Sequence, residues 1–388
     1  MATGKAGKRP KVRLGILFGG KSGEHEVSIS SAASVIAALD PEEYEITAIG
    51  ITKSGRPAST AEVRSMLPVA LHDRVGLRGG AGDSDSASLA DWFFAGGTDS
   101  KRHPEIIFPL LHGPYGEDGT IQGFLEIAGM PYVGCGVLAS AVGMDKDVMK
   151  RLFVQASLPV VPFRVEHTRG LEKRLEKLRN EVEAQFGYPV FSKPANLGSS
   201  VGVFKIHHAG EFDEAILSSA QFDCKIIIEK GIDARELECA VLGNENPEAS
   251  VVGEVVPACE FYDYEAKYIN PGSRTQVPAD IDAETARQVR HLTLRAFETI
   301  DGSGLARVDF FLDRRSGAVW LNEINTMPGF TSISMYPKLW AACGLPFNQL
   351  IHRLVELGFE RHEKRAARVI LRSDALAGCG MPVKSQGM

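Results

Sequence analysis

The densest set of chemistry-bearing residues lies between 306 and 331. Segments 306–312 (ARVDFFL) and 318–325 (AVWLNEIN) flank the turn DRRSG and alternate polar with apolar residues, the pattern of a two-stranded hairpin. With the turn centred near Arg315, Arg307 would face Glu323, and Arg307, Asp309, Glu323 and Asn325 share one parity and so one face. Two carboxylates and an amide form a hard oxygen-donor set of the kind Mg2+ takes together with substrate phosphates. The same face also reads as a solvated surface of ion pairs. Val308, Phe310, Trp320 and Ile324 are expected on the opposite face, anchoring the hairpin in a core. NTMPGFT (325–331) follows, a Gly-containing turn whose backbone donors suit an oxyanion.

A second set lies upstream. In PVFSKPANLGSSVGVFKI (189–206), Lys193 ends one strand, and Gly198, Ser199, Ser200 and Gly202 open the next. Consecutive N–H groups, two hydroxyls and an ammonium suit phosphate oxygens; a plain Gly/Ser hairpin turn fits as well. IIIEKGI (226–232) ends a buried strand in Glu229, where an adenine amino group or a solvated edge would both fit. His112, in HGPYGEDGT, sits at the C-terminal end of a strand, the usual ligand edge of an open parallel sheet. Glu117 and Asp118 there also read as the start of the next helix. Glu24, His25 and Glu26 follow Gly19–Gly20 at the first helix, where Glu26 reads as a favourable first-turn charge. Lys146, in GMDK, reads by itself as a surface residue.

Two regular expressions mislead. GILFGGKS (15–22) matches the phosphate-loop pattern, but Gly15 lies inside the apolar run, before the turn where such a loop must wrap its phosphates. GCGVLA (134–139) matches a dinucleotide fingerprint but lacks the acidic residue ~20 positions on, since position 154 is Val.

The elements that must position these groups follow a strand–helix–strand order: a buried strand at 12–18, a helix at 28–39, a second strand at 44–51 and another at 105–111. That order predicts an α/β unit with parallel strands. Residues 53–104, rich in Gly, Ser, Asp and Ala, read as a surface excursion. Leu171, Leu175, Leu178, Val182 and Phe186 recur at helical spacing and predict an amphipathic surface helix within 168–187. FYDYEAKYINPGSR (261–274) has weak strand character and is expected to be a mobile lid. The tail from about 372 is weakly patterned. At 388 residues, 44% apolar and 24% charged, the chain has the makeup of a globular protein of two or three domains, not of a disordered chain or a collagen-like fibre. A net charge of −6 provides no bulk positive field for nucleic acid. No apolar run approaches the ~20 residues needed to cross a bilayer. MATGKAGKRPK runs into the first strand without the apolar core of a signal peptide. Six cysteines without a C-x-x-C pair are expected as free thiols in a reducing, cytoplasmic compartment, with no zinc site.

Taken together, GGKSGEHEVS (19–28), LHGPYGEDGTIQG (111–123), MDK (144–146), SKPANLGSSVGV (192–203), EKGIDARELECAV (229–241), FYDYEAKY (261–268), RVDFFL (307–312) and NEINTMPGFTSISMYP (322–337) resemble the ATP-grasp superfamily, and within it the D-alanine–D-alanine ligases. They stand in the family's order over most of 12–345. The resemblance implies a three-domain α/β ATP-grasp fold: an N-terminal open parallel-sheet domain (11–134), a central subdomain (135–232), a C-terminal subdomain (233–370) and a loose tail (371–388). It implies ATP and two Mg2+ ions (Mn2+ as an alternative), two D-alanine molecules, a homodimer, and no nucleic acid or membrane partner.

Carried over by residue, Lys146, Lys193 and Ser200 would contact ATP phosphates, with Lys267 reaching in from the lid. Glu229 would bind the adenine amino group beside the backbone of Lys230 and Ile232, and Glu236 the ribose. Asp309, Glu323 and Asn325 would hold the metal ions, with Glu323 bridging them. Glu24 would take the first substrate's ammonium, with Ser199 and Tyr268 locking a loop over it, and His112 would lie near that substrate's carboxylate. Arg307 and the Gly329 N–H would stabilise a tetrahedral oxyanion. Ser334 and the Met335 N–H would hold the second substrate's carboxylate. Tyr268, neutral near pH 7, is expected to favour an amine over a hydroxy acid as second substrate. The 53–104 excursion and the chain beyond about 366 depart from the compact family pattern. Two competing classes are a P-loop NTPase or switch using Gly15–Ser22, and a non-catalytic ATP-grasp protein, which would be expected to lack part of the acidic set.

Overall fold

The computed structural model describes residues 10–77, 103–256 and 274–368. Its N-terminal sheet contains β1 (Val12–Gly19), β2 (Tyr44–Ile51), β3 (Val75–Leu77) and β4 (Ile106–Leu110), ordered β3-β2-β1-β4 and parallel throughout. Helix α1 (His25–Ala38) makes the first crossover. β1 reads as a near-continuous apolar run because both sheet faces are covered: Leu14, Ile16 and Phe18 enter one core, Leu17 the other. Gly15 is needed inside that strand, since a Cβ there would lie 2.5 Å from Ile107 Cδ1. It is a packing residue, and residues 15–19 of the phosphate-loop pattern lie inside β1.

The excursion expected from residue 53 is only partly one. Residues 60–77 contain α2 (Thr60–Met66), capped reciprocally by Ser59 and Glu62, then a 3-10 turn (Val69–Arg74) and β3. Short capped elements of this kind lack the long periodicity that identifies a helix in sequence. After β4 comes α3 (Thr120–Ile127).

Helices α4 (Val137–Met144) and α5 (Lys146–Gln155) lead into the central sheet of β5 (Phe163–His167), β6 (Val190–Pro194), β7 (Phe204–Ile206) and β8 (Lys225–Lys230). This sheet is antiparallel, ordered β5-β8-β6-β7. One core joins it to α6 (Leu175–Phe186) and α7 (Ala209–Ser219). The amphipathic pattern is realised with a break: Leu171 begins a 3-10 turn (Leu171–Arg174), and Leu178 and Val182 carry the buried stripe of α6.

The third sheet contains β9 (Ala234–Gly243), β10 (Glu248–Val256), β11 (Arg274–Gln276), β12 (Gly304–Asp313) and β13 (Val319–Asn325), antiparallel in the order β11-β10-β9-β12-β13. Its core takes in α8 (Ala283–Thr299) and residues of α4 and α5. α9 (Met335–Ala342) and α10 (Phe347–Ala366) return to the N-terminal sheet. There Gly358 lets α10 approach closely, since a Cβ would sit 2.7 Å from Ile106 Cδ1 and 2.9 Å from the Tyr132 oxygen. The expected N-terminal open parallel sheet is found, and two antiparallel sheets follow it.

Candidate active site

The hairpin keeps the expected parity but not the expected register. Arg307 pairs with Asn325 and Asp309 with Glu323, after which a bulge leaves Asn322 unpaired and Phe310 faces Leu321. The extra residue reverses which face the rest of the strand presents. Trp320 therefore pairs with Phe311 and joins the Asp309 face, while Leu321 takes the core position expected of Trp320. Glu236 and Glu238 of β9 stand opposite Phe311 and Asp309. Across the sheet this makes two rows, Glu238–Asp309–Glu323 and Glu236–Phe311–Trp320.

Each carboxylate of the first row meets a protein cation. Arg307 Nε and Nη2 donate to the two Asp309 oxygens at 2.7 Å each, and Nε lies 2.9 Å from Glu238. Burial alone would lower the guanidinium pKa, but Asp309, Glu238 and Glu323 hold it well above the ordinary value. Lys146 Nζ lies 3.4 Å from Glu323 and donates to the Leu197 oxygen at 2.7 Å. Its side chain is 12% exposed, so it is not a surface residue. Asp309 and Glu323 directly opposed, with Asn325 along the same face, fit a hard divalent cation. Among the described residues no group of three or more His, Cys, Asp or Glu is placed to hold a metal, Glu238 in the same row included, so phosphate oxygens would have to complete the coordination sphere.

A second polar cluster joins the central and C-terminal sheets. Glu229, on β8, is buried; Lys150 Nζ lies 2.7 Å from its Oε1 and Lys193 Nζ 2.5 Å from its Oε2. Lys150 also donates to the Asn322 main-chain oxygen at 2.9 Å, and Lys193 to its side-chain oxygen at 3.4 Å. Burial would raise the Glu229 pKa, yet the two ammoniums hold it below the usual carboxylate value. Lys230 is exposed, and Ile232 and Glu236 are half-buried at the same end of the sheets. Ser199 and Ser200, with φ of 50° and 59°, both adopt the left-handed conformation in the turn after Lys193. Non-glycine residues seldom do so outside constrained turns.

The third cluster stands where the parallel sheet reverses its winding. Glu24 follows β1 and His112 follows β4, adjacent strands at the topological switch point. The Ser199 hydroxyl donates to Glu24 Oε1, tying the turn to the N-terminal unit. His112 Nδ1 lies 3.1 Å from the Met327 carbonyl and Nε2 3.2 Å from Ser31 Oγ, which in turn accepts from the Phe330 N–H. Burial lowers the His112 pKa, and Glu24 opposes it only partly. A neutral ring donating through Nδ1 satisfies both contacts. Gly329 and Ser334 lie together, and the Ser334 hydroxyl, at the start of α9, bonds Thr331.

Glu117 belongs to this cluster, although its sequence context suggests only a helix start. Asp118 does that work, accepting from the Tyr115 and Thr120 N–H groups. Glu117 is buried, accepts from the Gly113 N–H at 2.8 Å, and has its pKa raised to about 8 by burial and by Glu24. Glu26 is exposed and pairs with Lys53, as a first-turn charge should. Lys267, Tyr268 and most of the expected lid lie outside the described residues. Among those described, Cys135 and Cys239 are buried and Cys224 and Cys343 exposed, all as free thiols.

Family models for the D-ala D-ala ligase N-terminus and C-terminus match residues 13–135 and 152–356. The chain belongs to the D-alanine–D-alanine ligase family. A D-alanine--D-alanine ligase of Heliobacterium modesticaldum is 48% identical over 92% of this chain and 96% of its own length. One from Acetivibrio thermocellus is 44% identical, over 91% and 97%. Among solved structures, the D-alanine-D-alanine ligase from Coxiella burnetii aligns with a TM-score of 0.76 at 33% identity, covering 95% of this chain and 99% of that one. VanG D-Ala:D-Ser ligase from Enterococcus faecalis aligns at 0.73, also 33% identical, covering 90% and 100%. Direct contacts link the three polar clusters. Lys146 and the turn bearing Ser199 connect the acidic hairpin to Glu24. No described helix is long and apolar enough to cross a membrane.

Proposed function

We propose that this chain joins two D-alanine molecules into D-alanyl-D-alanine using ATP, with ADP and phosphate as the other products. A carboxylate acylates an amine poorly until one oxygen becomes a phosphate leaving group. Transfer of the γ-phosphoryl group to the first D-alanine makes that leaving group, and attack by the second D-alanine's amine expels phosphate. The reading is carried by one observation: the opposed Asp309–Glu323 pair reaches Glu24 through Lys146 and the Ser199 turn. That chain of contacts supports reading phosphate chemistry beside an ammonium site.

In this reading Lys146, Lys193 and Ser200 hold ATP phosphates, Glu229 accepts from the adenine amino group and Glu236 binds the ribose. Asp309, Glu323 and Asn325 would hold Mg2+, which would supply charge neutralisation at the phosphates. Glu24, held by Ser199, takes the first ammonium, with His112 near its carboxylate. Arg307, charged at every accessible pH, and the Gly329 N–H face the tetrahedral oxyanion. Ser334 and the α9 N-terminus receive the second carboxylate. The product serves cell-wall peptide synthesis in the cytoplasm, and the working unit is a homodimer.

The test is incubation with ATP, Mg2+ and D-alanine, with products read by mass spectrometry. Dipeptide with one ADP per bond is expected; ATP hydrolysis without dipeptide would overturn the reading. D-Serine and D-lactate as competitors test the second site across pH 6 to 9. The relatives at 44% and 48% identity bear the D-alanine name, and Tyr268 adds no cation to repel an incoming ammonium. Dipeptide of D-alanine should dominate, and Tyr268→His should shift products toward lactate as pH falls.

A further inference from the structure

The nucleotide reading gives no part to Lys150, yet among the described residues this ammonium is fully withdrawn from solvent: its side chain is 0% exposed, against 11% for Lys193. It rises from α5, whose Met149 and Phe153 enter the C-terminal core, and ends between Glu229 of the central sheet and the Asn322 carbonyl of the bulge. The two lysines divide the Glu229 carboxylate between them, Lys150 on Oε1 and Lys193 on Oε2. They differ in freedom. Lys193 keeps 11% exposure, and phosphates in the proposed nucleotide site would draw it away and uncover Oε2. Lys150 has no route to solvent.

We infer that Lys150 is a positioning residue that keeps Glu229 a hydrogen-bond acceptor after Lys193 turns to the phosphates, so that the site selects a purine bearing an amino group. The inference rests on the reading of Glu229 as the adenine partner. A buried carboxylate stripped of both cations takes up a proton. The resulting O–H would favour a 6-oxo purine, which offers an acceptor where adenine offers a donor. Lys150 prevents that exchange. Burial and the charge of Lys193 both lower the Lys150 pKa, while Glu229 and Glu323 raise it. Departure of Lys193 therefore removes one of the two depressing influences and strengthens the remaining pair. The bulge serves the same end, because it supplies the carbonyl that fixes the other side of the ammonium.

The experiment compares ATP with ITP, its 6-oxo counterpart, by calorimetric titration of the full chain with Mg2+ and without D-alanine. Lys150→Gln keeps a donor for the Asn322 carbonyl and removes the charge. It should lower the ATP-over-ITP preference about tenfold or more, whereas a packing defect would weaken both nucleotides alike. In a Glu229→Gln background the same substitution should add little. Preference retained in Lys150→Gln, with preference lost in Glu229→Gln, overturns the inference and leaves the adenine reading standing. Preference retained in Glu229→Gln overturns both. Should Lys150→Gln fail to fold, the unmodified protein still decides: its preference should hold from pH 8 to about 5.5, and a loss centred near neutrality would overturn the role of Lys150.

Discussion

Two buried carboxylates in this molecule come to opposite states. Glu117, in the cluster around Glu24 that forms the proposed ammonium pocket, is 8% exposed and has its pKa raised to about 8; Glu229, in the proposed nucleotide cleft, is 3% exposed and has its pKa lowered. Burial pushes both upward. The difference lies in their neighbours: Glu117 has Glu24 beside it and one backbone N–H, whereas Glu229 lies between two ammoniums. On the proposed reading, the raised pKa of Glu117 limits the charge it adds beside the ammonium site at Glu24. The cleft is built from paired charges that phosphates and a metal can exchange for their own.

The cleft half of this comparison breaks most completely at Glu323. Glu323→Ala should fold and lose about a thousandfold in turnover, the loss expected when charge stabilisation of a transferring phosphoryl group is removed. ADP release at saturating Mg2+ measures it, and near-normal turnover would remove the metal assignment. Arg307→Met comes next. It leaves Asp309 and Glu238 without the guanidinium that both contact, and breaking such a pair costs about 3–5 kcal/mol. Urea unfolding should show that loss together with weak activity. A midpoint unchanged from the parent would mean the pairs are solvent-screened.

Lys193→Ala set against Lys21→Ala separates the cleft from the first glycine turn. Lys193 touches Glu229 and Asn322, while Lys21 is exposed and lies over the Tyr115 ring. The former should cost about a hundredfold in ATP turnover, the latter very little. A reversed order would restore the phosphate-loop reading despite the position of Gly15 within β1.

What the sequence disclosed follows from the same physics. Strands covered on both faces read as near-continuous apolar runs, interrupted only by Arg13 in β1 and by Glu45 and Thr47 in β2, so β1, β2 and β4 are legible. Period-two alternation placed Arg307, Asp309, Glu323 and Asn325 on one face, and the structure keeps them there. The bulge at Asn322 left no trace, because a single extra residue carries no composition signal, and so Trp320 was assigned to the wrong face. Lys150 does leave a trace in the sequence. It shares a helical stripe with Lys146, Met149 and Phe153, and a lysine on a core-facing stripe needs a buried anion. Glu117 had none, since an acidic residue before a helix has an ordinary explanation and only the fold shows that Asp118 fills that role.

The pocket half of the comparison is sharpened by Glu117→Gln, whose effect on turnover should be the smallest. The amide keeps an acceptor for the Gly113 N–H and cannot ionise. In the folded protein Glu117 retains its proton up to about pH 8, whereas in the unfolded chain it loses it near the ordinary value of 4.5. Between those limits the folded state binds the extra proton, so the parent loses stability as pH rises through that window, and the full cost is present above it. The Gln variant lacks this slope. It should match the parent near pH 4 and exceed it at pH 9 by an amount on the order of a few kcal/mol. Melting temperatures of both proteins across pH 4 to 9 give the comparison directly. Parallel curves would show that Glu117 is ionised in the folded protein at neutral pH, and the contrast with Glu229 would then fail on the pocket side, leaving two carboxylates beside the first ammonium.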